Sequence, residues 1–346
     1  MKPRIKLSTI FQYLIFFAIG LGLVWWQLGR MTPEEKTQFY ESLRNARYIY
    51  VIPIVILGLL SHLFRALRWK LLINPMGKVS GENAFYSVMT GYFGNTFIPR
   101  FGEILRCTML SKYEKVPFSK LVGTVITERL FDLVCFILFL LLTVLIQLNT
   151  VGNFLDEKLS LISAQKRGVH SWLKLLIFLA IVIVCITAGS YFMKKYKDRK
   201  LVLRIKSLLA GLREGVSTIF RLRERGAFLL YTILIWALYL SQIYIGFKAL
   251  DVTQHLGIGA GMSVLALSTI AMIVAPGGLG AFPVAVQQVL LVYHVNNISF
   301  GWLVWGVNTA LIIVAGAISF LLLIYRNKGR HHSIAHKPPL NTDDNQ

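Results

Sequence analysis

The chain has 346 residues, of which 55% are hydrophobic and only 15% are charged, and its mean hydropathy is +0.60. Soluble domains are typically about 45–50% apolar and about 25% charged, so this composition excludes a soluble enzyme, a disulfide scaffold and a disordered chain. The net charge is nevertheless +21. Such a charge is typical of nucleic-acid-binding domains or of membrane proteins whose basic residues gather on one side.

Six apolar segments are long enough to cross a bilayer, because a hydrocarbon core of about 30 Å needs about 20 helical residues. They are residues 9–29, 48–66, 121–147, 172–193, 227–248 and 302–325. The first segment is too long for a typical signal peptide and no small-residue cleavage site follows it. It is therefore expected to be a retained first span.

The basic residues between these segments predict the orientation of the chain. Residues 194–225 contain 11 Lys and Arg against 3 acidic residues, whereas residues 249–301 contain no Lys or Arg. The positive-inside rule then places the N-terminus, the 194–225 loop and the C-terminus in the cytoplasm. The charge is thus an orientation signal, and nucleic acid is not an expected partner. We predict one transmembrane domain over residues 1–330 and a polar cytoplasmic tail over residues 331–346.

Two further apolar regions are interrupted by Pro and Gly. Residues 83–110 have Gly, Asn and Pro in their middle, and residues 262–292 are split by Pro-Gly-Gly-Leu-Gly. Non-helical backbone at membrane depth is tolerated only inside the protein or beside a watery cavity, so each region is predicted to be a re-entrant helical hairpin. The predicted fold is all-α, with about six spanning helices and two hairpins in opposite orientation. That arrangement is typical of inverted-repeat transporters.

Apolar residues recur at helical spacing within residues 194–225, with basic residues elsewhere around the helix axis. One interpretation is a basic amphipathic helix on the surface of an anionic cytoplasmic leaflet. The other is a linker helix that packs on its own protein.

The segment from Asn95 to Arg106 reads NTFIPRFGEILR. A helix that ends near Pro99 and restarts at Gly102 leaves free backbone groups at the break. Charged residues follow at three-residue intervals and therefore lie near one face of the restarted helix.

Two arginines around one glutamate leave a surplus positive charge in this segment, and the planar guanidinium suits bidentate phosphate binding. One interpretation is a site for an anionic lipid headgroup, and the other is a structural ion-pair cluster. The candidate headgroup residues are Asn95, Arg100, Glu103 and Arg106.

The third span carries Glu128, Arg129 and Asp132 near its start. Charges inside a membrane are costly and normally face the interior of the bundle in pairs. These three could complement the surplus charge on the first hairpin, or one carboxylate could carry a proton. The alternative is a buried structural pair that holds the third span against the hairpin.

The second interrupted region has no charge, and its glycines permit close approach of the backbone. The helix that resumes near Ala281 would present N–H groups to an anionic ligand, although a glycine-rich break could equally serve packing. The predicted break residues of the two hairpins are Pro99, Gly102, Pro276, Gly277, Gly278 and Gly280.

No catalytic set, metal site or cofactor is expected. The three cysteines have no paired spacing, the seven histidines form no ligand motif, and no nucleotide-binding or hydrolase motif occurs. The chain is therefore not expected to be an enzyme.

The order and spacing of three motifs resemble the transmembrane region of lysylphosphatidylglycerol synthases, also called the flippase-like domain family. The motifs are N-x-x-x-P-R-x-G-E-x-x-R from Asn95 to Arg106, E-R-x-x-D from Glu128 to Asp132, and P-G-G-x-G from Pro276 to Gly280. The resemblance covers roughly residues 10–325. Two features of the family are not found in this sequence. They are the soluble aminoacyltransferase domain of the larger relatives and the Glu that often follows the glycine break.

The resemblance implies a multi-pass protein of the bacterial inner membrane. In the larger relatives this region is associated with moving a modified phospholipid between leaflets. The expected function is therefore binding and translocation of an anionic phospholipid or a polyprenyl-phosphate lipid. The alternative is a non-transporting accessory protein that docks an envelope glycosyltransferase or lipid-modifying enzyme.

Overall fold

A computed structural model describes residues 7–98, 100–160, 187, 191, 194–196 and 199–328. These residues form helices and turns, with no strand among them. The longer helices are α1 (Leu7–Arg30), α2 (Pro33–Arg44), α3 (Val51–Ile73), α4 (Gly81–Phe97), α5 (Phe101–Glu114), α6 (Phe118–Ser160), α7 (Lys200–Phe220), α8 (Arg225–Phe247), α9 (Ile258–Val274), α10 (Ala281–Val292) and α11 (Ser299–Asn327).

Four helical segments are long and apolar enough to cross a membrane: Tyr48–Ile73, Phe118–Leu148, Arg225–Phe247 and Ser299–Asn327. They contain the predicted second, third and sixth spans, and the fifth apart from Lys248, its last residue. The predicted first span lies within α1. The predicted fourth span and the polar tail lie outside the described residues, apart from two isolated positions of that span.

The second span is longer than predicted. Helix α3 continues beyond Ala66 to Ile73, although this extension contains Arg68 and Lys70. Arg68 is nevertheless fully buried, because the fold provides partners for its charge. The predicted boundary at Ala66, before Arg68, is therefore too early.

Each interrupted region forms a pair of helices that pack against each other. In the first hairpin α4 ends at Phe97 and α5 begins at Phe101. In the second, a short 3-10 turn at Pro276–Gly278 separates α9 from α10, which begins at Ala281 as predicted. At the first break Arg100 has positive φ, and at the second break Gly277, Gly278 and Gly280 do.

The two hairpins open toward opposite ends of α11. At its C-terminal end, Asn327 exchanges hydrogen bonds with Asn83 at the start of the first hairpin. At its N-terminal end, Ser299 follows the turn that leaves the second hairpin. Helix α11 has 29 residues, so these ends are about 40 Å apart at 1.5 Å per residue. The turn at the tip of the second hairpin packs against α4 of the first.

Helix α7, from the basic 194–225 segment, packs against α6. Gly211 and Gly215 lie against the side chain of Leu130, and Ile219 is fully buried in a cluster with residues of α3, α6 and α8. Basic side chains such as Arg213 remain exposed. These contacts favour the interpretation of a linker helix that packs on its own protein.

Candidate functional site

A cluster of charged side chains connects α3, α5 and α6 inside the bundle. At its centre Glu128 has no exposed surface. One carboxylate oxygen, Oε1, accepts hydrogen bonds from Arg65 Nη1 at 3.1 Å and from Arg68 Nη2 at 3.3 Å. The other, Oε2, accepts from Arg106 Nη2 at 3.1 Å. Three arginines from two helices therefore surround one buried carboxylate.

One turn along α6, Asp132 engages the same two arginines of α3. Its Oδ2 is 2.8 Å from Arg65 Nη1, and its Oδ1 is 2.6 Å from Arg68 Nη2. The other terminal nitrogen of each guanidinium binds α8, where Arg65 Nη2 donates to Tyr239 Oη and Arg68 Nη1 donates to Thr232 Oγ1, both at 3.2 Å. The cluster thus stabilises the packing of four helices.

The outer part of the cluster is half-exposed. Arg129 Nη2 lies 3.4 Å from Glu103 Oε1, and the two side chains are 39% and 28% exposed. Both line a small cleft with Tyr92, Asn95 and Gly102 at the tip of the first hairpin. The cleft has a volume of about 10 Å³, which is about the space of one water molecule.

The cluster has more positive than negative groups: four arginines face three carboxylates. The Nε atoms of all four arginines are buried without a hydrogen-bond partner in the described part of the chain. Unpaired buried donors are costly, and the cluster as a whole has one positive charge more than its carboxylates balance. Its arginines are Arg65, Arg68, Arg106 and Arg129.

Arg106 is held more tightly than a freely accessible headgroup ligand would be. Its guanidinium lies 4.7 Å from the centre of the Trp69 ring, and Trp69 Nε1 in turn donates to Thr124 Oγ1 at 2.9 Å. Arg106 is only 3% exposed. A phosphate would have to displace Glu128 to reach it, so its predicted role as a headgroup ligand stays a prediction.

Arg100 has the opposite environment. It lies at the hairpin tip with a φ of 64°, its side chain is exposed, and it makes no hydrogen bond or ion pair within the part of the chain that the structure describes. The preceding Pro99 lies outside the described residues. Arg100 is therefore the predicted headgroup residue that is most accessible from outside.

Asn95 has a structural role at the same tip. Its Oδ1 accepts a hydrogen bond from the backbone N–H of Gly102 at 2.8 Å, which provides a partner for one of the free donors in the first turn of α5. A Cβ on Gly102 would lie 1.8 Å from the carbonyl oxygen of Gly91. The break thus depends on a capping amide and on a glycine contact between the two helices.

We expect Asn95→Ala to destabilise the protein by about 0.5–2 kcal/mol, because it removes the capping acceptor of α5. Asn95→Asp keeps an acceptor oxygen and serves as the matched control. Thermal unfolding in detergent micelles would measure the difference. Equal midpoints for Asn95→Ala and the wild type would show that the cap contributes nothing.

The tip of the second hairpin is built by glycines, as predicted, but it contains no charged side chain. Gly277, Gly278 and Gly280 have positive φ angles of 73°, 67° and 72°. The carbonyl oxygen of Gly277 accepts a hydrogen bond from Trp305 Nε1 at 2.8 Å. A Cβ on Gly280 would lie 2.9 Å from the carbonyl oxygen of Gly20, so α1 approaches this tip closely.

Arg65 and Arg68 belong to the cluster but were not among the residues predicted from the sequence. Both lie at the end of the second apolar segment with a spacing of three residues, which places them near one face of the helix. Two arginines on one face of a spanning helix require buried acidic partners, and the third span contains such carboxylates. This spacing was the available signal.

These features define the class of the protein: a polytopic helical membrane protein with two interrupted helical hairpins. The family model of the lysylphosphatidylglycerol synthase TM region matches residues 13–300, which is most of the chain. The chain belongs to this family, as the three sequence motifs indicated.

Two curated membrane proteins are similar to this chain in sequence. A UPF0104 membrane protein of Methanothermobacter thermautotrophicus is 26% identical over 314 residues, which cover 82% of this chain and 85% of that protein. A UPF0104 membrane protein of Methanocaldococcus jannaschii is 31% identical over 148 residues, which cover 42% of each chain. The match thus spans less than half the length of the second relative. No solved structure matches the chain.

Proposed function

We propose that the protein binds the phosphate group of an anionic membrane lipid at the tip of the first hairpin and carries the lipid between leaflets. The observation that supports this most is the surplus of arginine charge at membrane depth. Four arginines face three carboxylates in the cluster, and the exposed Arg100 lies at the same tip. An anionic group bound at this tip outside the cleft, where Arg100 is exposed and Arg129 is half-exposed, would balance that charge and accept charge-assisted hydrogen bonds.

The arrangement of the hairpins supports movement of the lipid as well as binding. The two hairpins open at opposite ends of the bundle, and the turn at the tip of the second packs on the first. We propose that they are re-entrant halves of an inverted repeat. Such repeats place a binding site near the membrane midplane, where interrupted helices meet.

The carboxylates are better suited to shaping charge than to catalysis. Glu128 and Asp132 are each contacted by at least two arginines, and Glu103 contacts Arg129. Protonation of Glu128 would remove the carboxylate that pairs with Arg106 and would leave Arg65 and Arg68 to share Asp132, which disfavours proton transfer through Glu128. We therefore propose binding and translocation without covalent chemistry or a cofactor. The family to which the chain belongs favours a phospholipid or a polyprenyl-phosphate lipid.

The basic residues support a topology in which both termini lie on the cytoplasmic side of the cell membrane. In this orientation the first hairpin opens toward the cytoplasmic leaflet and the second toward the opposite leaflet. An accessory role that docks an envelope enzyme is the alternative, since α7 exposes basic side chains.

We expect Arg100→Gln to reduce the retention of phosphatidylglycerol relative to phosphatidylcholine about tenfold, the equivalent of one charge-assisted hydrogen bond. The protein would be reconstituted in nanodiscs that contain both lipids, and native mass spectrometry would count the lipids retained. The matched control is Arg223→Gln, which removes an exposed charge from the loop between α7 and α8.

Equal retention by Arg100→Gln and the wild type would contradict the assignment of Arg100. If the wild type retains no anionic phospholipid in preference to zwitterionic phosphatidylcholine, the proposed function is wrong and the accessory role is favoured.

A further inference from the structure

A second cavity lies at the other end of the bundle, where the second hairpin opens. It has a volume of about 140 Å³ and is formed by the end of α1, by α2 and by the turn between α10 and α11. A single water needs only about 10–15 Å³, so this cavity admits a larger group. It adjoins a more open cavity of about 640 Å³, with which it shares Gln38, Asn296 and Asn297.

The wall of the cavity is a connected set of amide and carboxylate groups. Gln287 Nε2 donates to Asn296 Oδ1 at 3.1 Å, and Asn296 Nδ2 donates to Glu35 Oε1 at 3.5 Å. Glu35 is itself fixed, because its Oε2 accepts from the backbone N–H of Thr32 at the start of α2. On the other side Asn297 Nδ2 donates to Ser42 Oγ at 3.1 Å. The polar groups are therefore positioned before any ligand arrives.

Gln27 is the exception in this wall. Its side chain lines the cavity and the residue is only 6% exposed, yet neither Nε2 nor Oε1 has a hydrogen-bond partner among the described residues. A carboxamide offers two donors and an acceptor, and leaving all of them unused in a buried position is costly. A ligand that donates and accepts hydrogen bonds at adjacent atoms would satisfy both polar atoms of the Gln27 side chain.

Two residues at the rim indicate which ligand fits. Trp26 is 45% exposed and lies within 4.9 Å of the Arg30 guanidinium, measured to the ring centre. Arg30 and Glu35 carry opposite charges on the same wall, so the cavity gains nothing from an anionic ligand. A half-exposed indole beside fixed amides suits the alternating C–H and O–H surface of a sugar.

We propose that this cavity binds a neutral, hydroxylated group, namely a sugar or a glycerol moiety, through Gln27 and the face of Trp26. The proposal rests on the proposed function in one respect: in a lipid-binding protein, the natural source of this group is the headgroup of a glycosylated lipid at the membrane interface. A free sugar has the same chemistry and is the other possible source. The charge cluster at the first hairpin would then bind phosphate, and this cavity at the opposite end of the bundle would bind hydroxyl groups.

The test is a lipid-retention experiment in phosphatidylcholine nanodiscs that contain monoglucosyl diacylglycerol and diacylglycerol. The protein must be purified without maltoside or glucoside detergents, because their sugars would occupy the site. Native mass spectrometry gives the ratio of the two retained lipids. We expect the wild type to favour the glucosyl lipid and Gln27→Leu to lower this ratio about tenfold. Gln254→Leu, which changes an exposed glutamine outside both cavities, is the matched control.

Trp26→Leu provides a second variant, because its side chain is exposed enough for the fold to tolerate the change; it is also expected to lower the ratio. Equal ratios for the wild type and both variants would overturn the proposal. Retention of methyl glucoside by protein in nanodiscs without the glucosyl lipid would show that a soluble sugar suffices as the ligand, and retention of the glucosyl lipid alone would identify the lipid. If glucosyl selectivity depends on Gln27 while phosphatidylglycerol retention is independent of Arg100, this site stands and the proposed phosphate site does not.

Discussion

Glu128→Gln is expected to lower the free energy of unfolding by about 3–5 kcal/mol, the usual cost of removing one partner from a buried ion pair. Glu128 has no exposed surface, and its two oxygens accept hydrogen bonds from Arg65, Arg68 and Arg106. Glutamine has nearly the same shape, but it removes the negative charge and directs an NH₂ donor toward guanidinium donors. Urea or thermal unfolding in mixed micelles would measure the loss.

The matched control is Glu82→Gln, which removes the same charge from the exposed ion pair with Arg326. Exposed pairs contribute little to stability, so this variant should unfold close to the wild type. The double variant Glu128→Gln/Arg106→Met should lose less than the sum of its two single variants, because the groups act as one cluster. Equal losses for the Glu128 and Glu82 variants would show that the buried cluster does not stabilise the fold.

Gly102→Ala is expected to prevent the first hairpin from closing, with a stability loss at or above the upper end of the usual 1–3 kcal/mol for overpacking. The added Cβ would lie 1.8 Å from the carbonyl oxygen of Gly91 and 2.7 Å from Cγ of Asn95. The first neighbour is backbone and the second caps α5, so neither can move without breaking the helix contact. The unfolding midpoint and the yield of monodisperse protein would both report the change.

Gly123→Ala is the control for this substitution. Nothing lies within 4 Å of a Cβ at this position of α6, so alanine adds no clash there. Alanine is favoured over glycine in a helix by about 0.8–1.0 kcal/mol, and this variant should therefore be as stable as the wild type or more so. A Gly102→Ala protein that unfolds at the wild-type midpoint would contradict the close helix contact.

The breaks in the two hairpins could be predicted from the sequence because their causes are local. Proline removes a backbone donor and glycine permits positive φ wherever they occur. Helix α10 accordingly begins at the predicted Ala281, and α5 begins at Phe101, one residue before the predicted Gly102. The family was also recognisable, because two of its three motifs lie at these breaks.

The partners of the charges could not be predicted in the same way. Arg129 and Asp132 lie three residues apart on α6, and Arg129 Nη1 and Asp132 Oδ2 form a long ion pair of 3.8 Å. The short contacts of Asp132 are with Arg65 and Arg68, which lie more than sixty residues earlier in the chain. Such contacts depend on how helices pack, and helical periodicity along one segment carries no information about a second segment.

The central claim is that the protein moves a phosphate-bearing lipid across the membrane, and a leaflet-resolved transport assay tests it most directly. Fluorescently labelled phosphatidylglycerol would be placed in both leaflets of proteoliposomes, and a membrane-impermeant quencher would report how much reaches the outer leaflet. The proposal predicts that wild-type proteoliposomes expose the inner-leaflet lipid well above the rate of protein-free vesicles, and that Arg100→Gln slows this exchange. Exchange at the protein-free rate by folded wild-type protein, with every lipid offered, would contradict it.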